Sequence, residues 1–158
     1  MKHTPKISRR AILAVLAAGA LPLPLSIALA AQTSIKVWKD PSCGCCGKWV
    51  DHLSRNGFKA TVIETSDMSS VKRRLGVPAH LHSCHTAEVE GFTIEGHVPA
   101  AAIRRLLSEK PHAKGLAVPG MPIGSPGMEG GRPERYDVML FGDGRARSFG
   151  SFVGDQPA

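Results

Sequence analysis

The sequence comprises 158 residues with 20 Lys+Arg, 13 Asp+Glu and 7 His, a formal net charge of +7. That length suits one domain, and 42% hydrophobic with 21% charged residues exclude a disordered chain, a coiled coil, a collagen-like rod and a polytopic membrane protein. Aromatic residues make up only 5%, so the core must be mainly aliphatic, and 17 Gly with 12 Pro call for a large share of loop.

Residues 1–30 read as a signal peptide for export to the periplasm. Lys2, Lys6, Arg9 and Arg10 form a basic start, Ala11 to Ala20 a short apolar run, and Ala28-Leu29-Ala30 a cleavage pattern. Pro22 and Pro24 interrupt the apolar stretch, which argues against a permanent membrane anchor. Ser8-Arg9-Arg10 resembles a twin-arginine signal, and an ordinary secretory signal carrying two arginines is the alternative. Removing this segment leaves 16 basic and 13 acidic residues, a net charge of +3. The basic balance therefore belongs largely to the signal, and no nucleic-acid partner is expected. Residues 31–158 form the single remaining domain.

In that domain Ser34 to Trp38 alternates as a first strand, with Ile35 and Val37 on one face. Asp40-Pro41-Ser42 makes a turn. Trp49, Val50 and Leu53 then follow helical spacing from Cys46, up to an Asn56-Gly57 stop. Lys59 to Glu64 is a β-branched second strand. Ser66 or Asp67 caps a second helix carrying Met68, Val71 and Leu75. Thr86 to Val89 and Phe92 to Ile94 flank Glu90-Gly91 as a tight hairpin, and Pro99 opens a third helix through Ile103, Leu106 and Leu107. This β-α-β-α-β-β-α order is the minimal order of a thioredoxin-like α/β fold. Beyond it, Gly115 to Arg132 reads as a long ordered Gly/Pro/Met loop, and Tyr136 to Phe141 with Arg145 to Phe152 as an extra hairpin.

The chemistry concentrates in Cys43-Gly44-Cys45-Cys46, where the first strand turns into the first helix. Cys43 and Cys46 have the C-x-x-C spacing of redox proteins, and the helix start favours thiolates there. Cys45 is superfluous for dithiol chemistry. The fourth cysteine lies in His82-Ser83-Cys84-His85-Thr86, just ahead of the third strand. In a thioredoxin-like chain that segment faces the C-x-x-C pair and carries a cis-Pro followed by Thr. Here His85 takes the proline's place, with Pro78 as a rival. Four sulfurs and one imidazole thus converge. Soft thiolates crowded this closely suit Cu(I), in a cluster rather than as one ion, ahead of zinc, which prefers well-separated pairs. A plain Cys43–Cys46 disulfide is the competing reading in an oxidising compartment. His52, His82 and His112 read as surface residues, His97 as a turn residue before a helix, and Met68 and Met139 as core. Met121 and Met128 stay open as soft donors in the loop.

Trp38-Lys39-Asp40-Pro41-Ser42-Cys43-Gly44-Cys45-Cys46-Gly47-Lys48-Trp49 resembles the opening of a bacterial domain-of-unknown-function family of periplasmic CxCC metal-binding proteins, often encoded beside copper-resistance genes. Leu75-Gly76-Val77-Pro78, Ser83-Cys84-His85-Thr86-Ala87, Ile94-Glu95-Gly96-His97-Val98-Pro99 and Gly120-Met121-Pro122-Ile123-Gly124-Ser125-Pro126-Gly127-Met128-Glu129 extend the resemblance over residues 34–152. It implies a thioredoxin-like fold and a role in copper tolerance. The implied ligands are Cys43, Cys45, Cys46, Cys84 and His85, and the implied partners are copper ions and other periplasmic copper-handling proteins. The expected activity is binding of Cu(I). Thiol–disulfide exchange, or reduction of copper, by Cys43 and Cys46 is the alternative.

Overall fold

Alternation along β1 (Thr33–Lys39) divides the core between the two faces of a sheet. Ile35 and Val37 pack with Trp49 and Leu53 and with Ile103 and Leu106, while Trp38 packs with Val71 and Leu75. The computed structural model describes residues 32–142 and 144–158, so the export signal expected over residues 1–30 lies outside the described residues. The helix α1 (Gly44–Arg55) starts two residues before Cys46, so Cys45 and Cys46 both stand in its first turn. It ends at Asn56, and Gly57 follows with φ +79°, a left-handed conformation that a side chain would strain.

β2 (Phe58–Glu64) returns parallel to β1. α2 (Met68–Arg74) begins at Asp67, whose carboxylate accepts the Ser70 N–H at 3.0 Å. Met68 packs against the Trp38 group, the core position its spacing predicts. After a 3-10 turn at Ala79–Leu81, β3 (Thr86–Val89) and β4 (Phe92–Glu95) form the expected hairpin, with Glu90 and Gly91 at φ 46° and 83°. α3 (Ala100–Glu109) has Pro99 just outside it, as its cap, rather than as its first residue.

The chain then departs from the sequence reading. Gly115–Ala117, placed in a loop by its composition, is a strand, β5, running parallel to β4. It is too short to show alternation. Gly115 makes the pairing possible, because a Cβ there would collide with the Thr93 carbonyl. β5 links the expected C-terminal hairpin, β6 (Arg135–Phe141) and β7 (Arg147–Val153), to the same sheet, and β8 (Gln156–Pro157) closes it. Among the described residues the result is one eight-stranded mixed sheet of order β2-β1-β3-β4-β5-β6-β7-β8 with three α-helices. The core is mainly aliphatic, as composition requires: Ile35, Leu53, Ile94, Ile103, Leu106, Leu116 and Leu140 are almost fully buried. Met139 packs against a smaller cluster of Val77, Leu81, Ala117 and Phe141. No helix among the described residues is long and apolar enough to cross a membrane.

Candidate metal centre

The corner between β1 and α1 is built by its turn. Asp40 accepts the Ser42 N–H at 2.8 Å and the Ser42 hydroxyl at 2.5 Å, and these bonds hold its carboxyl below the ordinary value. The Cys43 N–H donates to the Asp40 carbonyl at 3.0 Å. Cys43 is thereby the residue ahead of the helix, and Cys45 and Cys46 are its first-turn sulfurs.

Cys43 and Cys46 are joined in a disulfide, while Cys45 and Cys84 are free thiols. The Cys45 Sγ lies 3.6 Å from that of Cys43 and 3.9 Å from that of Cys84. All four sulfurs lie within 4.8 Å of one another. Cys46 is fully buried and the other three are half-buried, so the group opens to solvent on one side.

Cys84 is the hinge of a second group. Its Sγ lies 3.3 Å from His85 Nδ1 and 3.1 Å from His97 Nε2, and ligand atoms of these three residues also fall within 4.8 Å of one another. The tautomer of His97 follows from its other nitrogen. Nδ1 stands 2.8 Å from the Pro126 carbonyl oxygen, which only accepts, so Nδ1 carries the hydrogen and the Nε2 lone pair faces Cys84. His85 is fully buried, its ring 4.3 Å from the Trp49 ring and 4.9 Å, edge-on, from that of His97. Its Nε2 is the one buried side-chain nitrogen or oxygen among the described residues without a hydrogen-bond partner.

Burial governs the electrostatics of the strand side. The helix start was expected to favour thiolates. Cys84 instead stands before β3, where burial, and then the adjoining Cys45, push its thiol up to about 12. Burial likewise holds His85 and His97 below the ordinary histidine value, and the adjoining His97 ring and the Lys72 ammonium each disfavour a proton on His85 further. Both imidazoles are neutral and have lone pairs to offer.

Beyond β5 the Gly/Pro segment lies over the site as a strap. Ser125 N–H donates to Pro122 O, Met128 N–H to Ser125 O and Gly124 N–H to Met128 O, which folds the strap on itself. Gly127 (φ +92°) presses on α1 so closely that a Cβ would stand 2.7 Å from the Cys45 carbonyl and 2.9 Å from the Trp49 nitrogen. That approach delivers the Pro126 carbonyl to His97.

The five residues read from the sequence, Cys43, Cys45, Cys46, Cys84 and His85, therefore lie together. His97 joins them, although its place before a helix suggested a turn residue; its occurrence in the Glu95-Gly96-His97 motif was the available signal. Met121 is 51% exposed and Met128 half-buried. His82 turns to the Val77 carbonyl at 3.2 Å. No peptide bond is cis among the described residues, and Pro78 precedes the 3-10 turn in the trans form. His52 corrects the expectation of a surface residue. It is buried, and its Nε2 accepts the Ala100 N–H at 3.1 Å, capping α3 from a neighbouring helix.

Residues 81–128 match the family model described as "Protein of unknown function, DUF411". Two solved structures of a copper resistance protein, copG, are similar at 48% identity. Form 1 superposes with a TM-score of 0.73, over 78% of this chain and 99% of its own. Form 2 superposes with a TM-score of 0.72, over 76% and 98%. No curated protein matches the chain.

Proposed function

The chain belongs to the DUF411 family of copper resistance protein CopG, and from that premise we propose that it binds Cu(I) in the periplasm as a polynuclear thiolate cluster, in copper resistance or homeostasis. Copper is its cargo. Cys43, Cys45, Cys46, Cys84 and His85 would hold it, with His97 as a further nitrogen donor.

The observation that carries this reading is the position of Cys45. With metal–sulfur bonds of about 2.3 Å, two sulfurs on one three-coordinate ion stand about 4.0 Å apart. Cys45 is at 3.6 Å from one sulfur and 3.9 Å from another, so it can share one ion with Cys43 and another with Cys84. Bridging of this kind suits Cu(I), which accepts two or three soft ligands, whereas a structural zinc site has four ligands of its own. The neutral imidazoles match the same ion. A cation also reverses the preference of Cys84 for its proton, because a coordinated thiol is deprotonated. Loading all four sulfurs requires two-electron reduction of the Cys43–Cys46 bond.

Export through residues 1–30 and exchange with other periplasmic copper-handling proteins complete the proposal. A thioredoxin-like core is part of it, supported by the β1-α1-β2 parallel unit, the antiparallel β3-β4 hairpin and α3.

Cys45→Ser tests the reading. Anaerobic metal analysis of protein from copper-fed cells, with a free-thiol count, should give full loading for the unaltered chain. The variant should fold with its full loading lost. Retained loading defeats the cluster.

One observation favours a second reading. The Cys43–Cys46 disulfide at a strand-to-helix corner is the oxidised form that a thiol–disulfide oxidoreductase, or a copper reductase whose dithiol has given two electrons to two Cu(II), would carry, with Cys43 as nucleophile and Cys46 as resolving thiol. Insulin reduction that survives loss of both Cys45 and Cys84 would select it.

A further inference from the structure

Behind the sulfurs lies a buried charged network that copper binding does not itself require. Glu95, at the end of β4, has no exposed surface, and Lys72, on α2, is 7% exposed at its side chain. The Lys72 ammonium is 2.5 Å from Glu95 Oε1 and donates to the Thr86 hydroxyl at 3.1 Å. Glu95 Oε1 also accepts the Ser83 N–H at 2.6 Å, and Oε2 accepts the Thr86 hydroxyl at 2.6 Å. Ser83 and Thr86 stand on either side of Cys84-His85. One carboxylate therefore grips both ends of the dipeptide that carries the strand-side donors.

The same stretch of β4 ties down the rest. The Gly96 N–H donates to the His85 carbonyl at 3.0 Å. Gly96 leaves room for Ser83, whose hydroxyl would lie 2.5 Å from a Cβ placed there. His97 follows one residue later. Ion pairing alone could be met anywhere on these elements. What is specific is that both carboxylate oxygens end on the flanks of Cys84-His85.

We infer that Glu95 is a positioning residue, whose carboxylate, neutralised by Lys72, sets the Cys84 sulfur against Cys45 and His97. This deepens the copper-binding reading, although the geometry it explains is present without metal. Replacing a buried ion pair with neutral groups of similar volume need not harm the fold. In Lys72→Met/Glu95→Gln the amide oxygen can still accept from Ser83 N–H and the amide nitrogen can donate to the freed Thr86 hydroxyl. Lys72→Met/Glu95→Leu retains neither bond.

The full chain with its Cys43–Cys46 disulfide intact has Cys45 and Cys84 as its free thiols. Dibromobimane fluoresces on linking two such neighbours, and monobromobimane labelling normalises for thiol reactivity. The Gln pair should cross-link near the wild-type rate. The Leu pair, melting at a similar temperature, should fall by at least about tenfold, the effect of losing even one of its two strong hydrogen bonds. Equal rates in the two pairs would overturn the inference. Should the Leu pair fail to fold, Thr86→Val removes the Oε2 anchor together with the Lys72 bond to the same hydroxyl, keeps the Glu95–Lys72 pair and the Ser83 bond, and must still slow cross-linking; a wild-type rate there overturns the inference equally. Anaerobic Cu(I) titration of the same proteins, after reduction of the Cys43–Cys46 bond, separates the two claims. A wild-type chain that takes up no Cu(I) sinks the copper reading, while the cross-linking comparison still decides the role of Glu95.

Discussion

The two halves of the sulfur site are assembled in opposite ways. The helix corner supplies Cys43, Cys45 and Cys46 from four consecutive residues, oriented by one turn and one helix start. The strand side supplies Cys84, His85 and His97 from two segments, and each donor there is fixed by a distant partner: Glu95 for the first two and Pro126 for the third. Local construction places sulfurs cheaply but cannot surround an ion. Distant construction supplies the far wall, at the cost of a buried charge and a strap that must be seated. The difference teaches that cluster geometry should depend more on the strand side than its single cysteine suggests.

The most severe way to break the comparison is Cys84→Ser. It leaves the corner intact, and if both halves are needed the variant should lose full copper loading as completely as Cys45→Ser. Equal copper content in Cys84→Ser and wild type would mean that the corner works alone. A milder way leaves every donor in place. Gly127→Ala strains a φ of +92° and pushes the strap from α1, so the Pro126 carbonyl should lose its hold on His97. Losing such an outer hydrogen bond lowers metal affinity by about 10- to 100-fold. Competition with a Cu(I) chelator measures the loss, and unchanged affinity would show that the orientation of His97 is immaterial.

The smallest effect sharpens the corner itself. Burial, more than the nearby charges, holds His52 below the ordinary histidine value, and its neutral Nε2 receives the Ala100 N–H. The stability it confers is therefore fully present above about pH 6.5, the unfolded value, and fades as pH falls through the lower folded value. The melting temperature of metal-free protein should drop more steeply on acidification than that of His52→Gln, whose amide oxygen can accept the same N–H. Parallel pH profiles would remove His52 from the link between α1 and α3.

Legibility in the sequence followed the same division. The corner cysteines, the Asn56-Gly57 stop and the Glu90-Gly91 hairpin could be read because each depends on neighbours within a few residues. The approach of Cys84 to Cys45 needed the order of elements, which the chain carries in its periodicity. β5 escaped because three residues show no period and its pairing rests on the missing side chain of Gly115. His97 escaped because the carbonyl that fixes its tautomer lies 29 positions away. His52 falls on the buried face of α1 beside Leu53, and only the position of α3 gives it a partner. Lys72 stands in a run of charges, and its burial is decided by Glu95 across the sheet.

The tilted contact of Trp49 with His85 has an optical consequence. The chain contains two tryptophans. Trp49 sits one imidazole away from the sulfurs, whereas Trp38 is packed with Val71 and Leu75 on the opposite side of β1. Soft metals and disulfides both quench an excited indole at such range, so ultraviolet emission from Trp49 should report the occupancy and oxidation of the site without any label.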